Sequence, residues 1–148
     1  MEEQKKSGVL KTIAVIFGVI FIVIGILGFV PDALKDGNLL FGLFKVNTAH
    51  NIIHIVTGVI GVFCGLSCWH ASRLFFQVFG VIYGIITLLG LYYQNNDMFN
   101  GLIAHNVHDI WLHAIVAAFA LYLGFFCHCN RCCSADNYCK KNDNDLKK

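Results

Sequence analysis

Four stretches of this chain carry no Lys, Arg, Asp or Glu and are almost wholly apolar: Thr12–Val30, Asn51–Trp69, Leu74–Tyr93 and Ile110–Phe126. A helix needs roughly 20 apolar residues to cross the hydrocarbon core of a bilayer. Each stretch meets that length and none is long enough to cross twice. The sequence predicts an all-α membrane protein with four transmembrane helices within residues 12–126. Residues 1–11 would form a cytoplasmic N-terminus, and residues 127–148 a Cys-rich and then polar cytoplasmic tail. Composition agrees, because 57% of residues are hydrophobic and only 14% charged, where a soluble domain carries about a quarter.

The basic start (Lys5, Lys6, Lys11) is shared with secretory signals. The apolar run behind it is too long for a signal core, and no small-x-small cleavage site precedes Pro31. A first transmembrane helix is expected there. Orientation follows from Lys and Arg, which stay on the cytoplasmic side. Lys5, Lys6, Lys11, Arg73, Arg131, Lys140, Lys141, Lys147 and Lys148 fall on one side of the four spans, leaving Lys35 and Lys45 opposite. Both termini are therefore expected in the cytoplasm, with the chain multi-pass in the inner (plasma) membrane. The net charge of +2 follows this topology. No basic patch interleaved with aromatics suggests nucleic acid.

The chain also reads as two copies of one unit. "FGVIFIVIGILG" (Phe17–Gly28) resembles "FGVIYGIITLLG" (Phe79–Gly90). "GLFKVNTAHNIIH" (Gly42–His54) shares Gly-Leu-x-x-x-Asn-x-x-[His/Asp]-x-x-x-His with "GLIAHNVHDIWLH" (Gly101–His113), 59 positions on. The fold expected is two parallel helical-hairpin repeats about an axis along the membrane normal. Gly61-x-x-x-Gly65 and Gly80-x-x-x-Gly84 have the spacing for close helix approach. The short link "HASR" (His70–Arg73) makes helices 2 and 3 antiparallel neighbours.

Residues four apart share a helix face. His50 and His54 lie together, and His105, Asp109 and His113 form a second stripe. The repeat matches His54 with His113 and His50 with Asp109, so a twofold axis would let those four side chains converge. Ionisable groups inside a membrane usually face the bundle interior and pair with something. A hydrogen-bonded lock between hairpins is one reading. A divalent metal site is another, because imidazoles and a carboxylate suit zinc, iron or copper. Haem between His54 and His113 is a third, and a proton relay a fourth. Asn47, Asn51, His105, Asn106 and His108 are possible supports of the cluster.

"GFVPDALKDGNLLFGLFKVNTAHNIIHIVTG" (Gly28–Gly58) and "HDIWLH" (His108–His113) resemble a bacterial family of small four-helix membrane proteins known only as a domain of unknown function. The likeness covers about residues 8–126. It implies the four-helix topology and marks His50, Asn51, His54, Asp109 and His113, and it implies no activity. Here Ile110 stands where that family's pattern has Asn, and Asp32 where Gly is common.

Five cysteines cluster in "CHCNRCCSADNYC" (Cys127–Cys139). Cys127, Cys129, Cys132 and Cys133 form a second possible metal site, of thiolate type. Thiols stay reduced in the cytoplasm, and Cys64 and Cys68 read as packing residues. No nucleophile–base pair, P-loop or Rossmann glycine pattern is present, so no enzyme is indicated. Three classes of function stay open: handling of a divalent metal ion, a haem-bearing or redox-linked membrane subunit, and a structural subunit of a membrane complex. The bilayer is the partner implied. A homo-oligomer or a larger membrane complex is possible.

Overall fold

A computed structural model describes residues 2–36, 38–93 and 105–126. It contains α1 (Glu2–Leu27), α2 (Thr48–Ser67), α3 (Trp69–Tyr93) and α4 (Val107–Phe126). All four are long and apolar enough to cross a membrane. Between α1 and α2 lie a 3-10 turn (Pro31–Ala33) and three two-residue strands, β1 (Leu34–Lys35), β2 (Leu39–Leu40) and β3 (Phe44–Lys45). The strands pair antiparallel in chain order, Leu34 with Leu40 and Leu40 with Phe44.

Hydropathy alone misplaces the helix ends, and local chemistry explains why. Asn47 caps α2 by accepting from the backbone N–H of His50 (2.9 Å). Asn106 does the same for α4, accepting from the N–H of Asp109 (3.0 Å). Such caps satisfy orphan N–H groups and start each helix three residues before its apolar run. After Leu27, α1 unwinds through short-range bonds from Phe29 to Ile26 and Val30 to Leu27. Pro31, which lacks an N–H, then opens the 3-10 turn. The link expected over His70–Arg73 is itself helical. The chain turns at Cys68 alone, whose carbonyl accepts from the Ser72 N–H and hydroxyl (both 3.1 Å). Cys64 is a free thiol, whereas Cys68 is disulfide-bonded, so only Cys64 keeps the packing role expected of the pair.

α1 packs chiefly on α2 and α3 on α4, which gives two hairpins. Glycines set the closeness of both. A Cβ on Gly18 would sit 2.6 Å from the Val62 nitrogen, and one on Gly80 would sit 2.9 Å from that of Leu121. A Cβ on Gly65 would meet the Val15 nitrogen at 2.8 Å, and one on Gly124 that of Gln77 at 2.7 Å. Gly28 abuts the Asn51 amide, and Gly90 lies against Ile110. Each contact in the first hairpin thus has its counterpart in the second, 62 positions on in the outgoing helix and 59 in the returning one. At the end of the bundle where α2 turns into α3, Lys11 Nζ donates to the Ser67 carbonyl (3.1 Å), while Arg73 Nε donates to that of Gly124 (2.9 Å). Cations at helix C-termini are favourable for the same reason in both places. Gly84, by contrast, has open space where a Cβ would be, so Gly80-x-x-x-Gly84 is not a helix-contact motif.

The two hairpins meet through aromatic rings. Phe17 packs edge-on against Phe79 (centroids 4.9 Å apart) and Phe21 against Tyr83 (5.8 Å). Within each hairpin the pair stacks, Phe17 on Phe21 at 4.5 Å and Phe79 on Tyr83 at 4.0 Å. Ring pairs of this kind contribute about 0.5–1.5 kcal/mol each beyond area burial. The outward faces carry Ile16, Val19, Val59, Phe63, Ile115 and Phe119, all exposed to what would be lipid.

Candidate metal centre

The aromatic column leads to the histidines, at the end of the bundle opposite the α2–α3 turn. His50 and His54 stand one turn apart on α2 and stack with centroids 4.7 Å apart. Phe21 stacks on the other face of His54 at 4.9 Å, so that imidazole is sandwiched and held flat. His113 comes from α4, with its centroid 6.1 Å from His50 and 6.4 Å from His54. Tyr83 meets its ring edge-on at 5.1 Å.

One ligand atom from each of His50, His54 and His113 lies within 4.8 Å of the other two. Nitrogens around a tetrahedral zinc at roughly 2.0–2.1 Å would sit about 3.3 Å apart. To meet one ion the nitrogens would have to draw together by up to about 1.5 Å. The cavity they share with Ile53, Tyr83 and Ile86 measures about 30 Å³, room for about two waters or for an ion with a water. His50 and His54 are each 6% exposed, and His54 Nδ1 is buried without a hydrogen-bond partner. Buried polar atoms are nearly always paired, which marks this nitrogen as a candidate ligand atom.

Asp109, matched to His50 by the repeat, is not in that group. Its Oδ2 accepts from the backbone N–H of Asn106 (2.9 Å) and of Lys45 (3.1 Å). With Asn106 accepting from the Asp109 N–H in return, the pair forms a reciprocal cap of the capping-box kind. The Asn106 amide also donates to the Leu43 carbonyl (2.6 Å). Asp109, 3% exposed, thus ties β3 of the first hairpin to the start of α4. The repeated Asn-x-x-[His/Asp] therefore has a local cause: it is a helix cap followed by the third residue of the helix.

The supports expected around the cluster divide. Asn47 and Asn106 cap, and Asn51 is buried against Gly28. His105 has a buried Nε2 without a partner, and His108 is exposed. Cys127, Cys129, Cys132 and Cys133 lie outside the described residues. The reading from sequence missed Tyr83 and Phe21, the walls that fix two of the imidazoles. Their signal was present, since Phe21 and Tyr83 hold the same place in the two similar stretches.

No curated protein and no solved structure matches the chain. A family profile does, over residues 11–126, which span all four helices. The chain belongs to the family described as "Domain of unknown function (DUF4383)".

Proposed function

We propose that this small multi-pass membrane protein binds a divalent metal ion, such as zinc, through His50, His54 and His113. The convergence of three imidazole nitrogens from two helices around an ion-sized space carries the reading. Three histidines leave the fourth tetrahedral position open, the arrangement of zinc sites that act on a ligand rather than merely brace a fold. A space of about 30 Å³ suits an ion better than a porphyrin, so haem is the weaker alternative. The lock reading keeps a place for Asp109 and Asn106, whose bonds to Leu43 and Lys45 hold the hairpins together at the outer end.

The site sits on an internal repeat in this reading. Phe17 and Phe79, Phe21 and Tyr83, and His54 and His113 are matched pairs, and each pair meets at the join between hairpins. A duplicated hairpin related by a twofold rotation along the membrane normal brings equivalent residues together in this way. The inner membrane, with cytoplasmic termini, is the location that the Lys and Arg asymmetry favours.

Elemental analysis of detergent-purified protein, with an absorption spectrum, tests the reading. The expected result is about one equivalent of metal per chain, lost in His54→Ala and in His113→Ala, with no Soret band. Folded wild-type protein that stays metal-free after incubation with zinc, iron and copper would overturn it.

A further inference from the structure

An ion bound at His50, His54 and His113 has to reach them through the protein, because a buried metal site needs an entry path. Toward the middle of the bundle the way is shut by Phe21, Phe79 and Tyr83, which pack ring on ring and are each 5% exposed or less. The flank between α2 and α3 carries no charged side chain. A divalent ion would shed its water there with little to replace it. The remaining approach is from the end of the bundle where α2 and α4 begin.

Most polar groups at that end are committed. Asn47 and Asn106 cap their helices, Asp109 Oδ2 accepts two backbone N–H groups, and the Asn106 amide donates to the Leu43 carbonyl. Among the described residues, two buried side-chain nitrogens or oxygens lack a hydrogen-bond partner: Nδ1 of His54 and Nε2 of His105. His105 stands one residue before the α4 cap, so the bonds of Asn106 fix its backbone in place. The residue as a whole is half-buried while its Nε2 is covered, so the ring leads from the surface inward. His105 is near enough to His113 for charges on the two to interact, whereas His54 interacts in this way with His50 and His113. The order inward is His105, His113, His54. The nitrogens grouped within 4.8 Å are those of the triad and exclude His105, which sets it apart from the ligands themselves.

We infer that His105 is a transfer ligand, whose Nε2 takes a divalent ion at the start of α4 and passes it to His113 and the triad. This inference rests on the metal-centre reading. A neutral imidazole nitrogen replaces one water on the ion and is then replaced by His113; no electron moves. Ions move through proteins by stepping between adjacent sites that bind without trapping. Such a step lowers the barrier equally in both directions. It speeds loading and unloading by one factor and leaves affinity unchanged.

Cobalt(II) is the probe, added to the purified chain in detergent and then withdrawn with an excess of chelator. Its imidazole complexes absorb in the visible and its thiolate complexes in the near ultraviolet, which separates the histidines from the cysteines of Cys127–Cys139. His105→Ala and His105→Phe, the second keeping the bulk of the ring without its nitrogens, should each slow uptake and release alike. The expected factor is about tenfold or more, with cobalt stoichiometry and Kd near wild type. His108→Ala, at an exposed position three residues on, should change neither rate. Wild-type rates in both His105 variants, or equal slowing in His108→Ala, would overturn the inference and leave the metal centre standing. Faster release with weaker affinity would also overturn it, by making His105 a fourth ligand. A wild-type chain that takes up no cobalt at its histidines would sink the metal centre and the transfer ligand together.

Discussion

His54 is the residue on which the site turns. It is pinned between Phe21 and His50 and keeps one nitrogen without a partner. His54→Ala should abolish metal uptake, because two remaining imidazoles leave the coordination sphere half open. Asp109→Ala makes the opposite prediction. It strands the N–H groups of Lys45 and Asn106, at a cost of about 2–3 kcal/mol for bonds to a charged acceptor. Thermal denaturation in detergent should record that loss while metal content stays near wild type. A variant that keeps its stability and loses its metal would return Asp109 to the coordination sphere. Acidification adds a third test. Imidazole must be neutral to ligate, so protons compete with the ion and occupancy should fall as pH is lowered. The spacing in the sequence was enough to bring His50, His54 and His113 together. It could not show which way Asp109 turns, because a carboxylate at the third position of a helix can face a cap or a neighbouring face equally well.

The helices were legible because a charge-free run near 20 residues has few other fates in a chain this apolar. Their ends were less so, since Asn47 and Asn106 extend α2 and α4 beyond the apolar runs. The three outer strands left no periodic trace, each being only two residues long. The turn signals the sequence does offer there are the Asp36-Gly37 pair between β1 and β2, with Asp36 at φ +48°, and Gly42, at φ +77°. Helix contacts carry their own prediction. Gly18→Ala places a methyl 2.5 Å from the Gly58 carbonyl oxygen, against backbone that cannot move aside. It should destabilise by about 1–3 kcal/mol. Gly84→Ala meets nothing within 4 Å and should be neutral or stabilise by up to about 1 kcal/mol through helix propensity. Melting the two variants side by side checks the assignment. Equal effects would mean that the hairpins do not pack on their glycines.

For the whole molecule the matched contacts matter most, from Lys11 and Arg73 at one end to His54 and His113 near the other. Broken symmetry is equally informative. His50 is matched by Asp109, and the Phe21–His54 stack by an edge-on Tyr83–His113 contact. In the proposed site one half would supply two ligands, and the other one ligand together with the Asp109 strap to β3. The proposed orientation in the membrane rests on Lys and Arg, against which stands the Cys68 disulfide, a bond typical of oxidising compartments. In a background free of other cysteines, a membrane-impermeant thiol reagent applied to intact cells should label a cysteine placed at Lys45 and spare one placed at Lys148. The reverse pattern would invert the topology.

X-ray absorption at the zinc edge of the zinc-loaded, purified chain tests the central claim most directly. The account predicts three imidazole nitrogens at about 2.0 Å and one further light atom, with the imidazole signal reduced in His113→Ala. A shell of oxygen with no imidazole scattering, or a sulfur shell at about 2.3 Å that gives way to no imidazole shell when Cys127, Cys129, Cys132 and Cys133 are replaced by Ser, would contradict it.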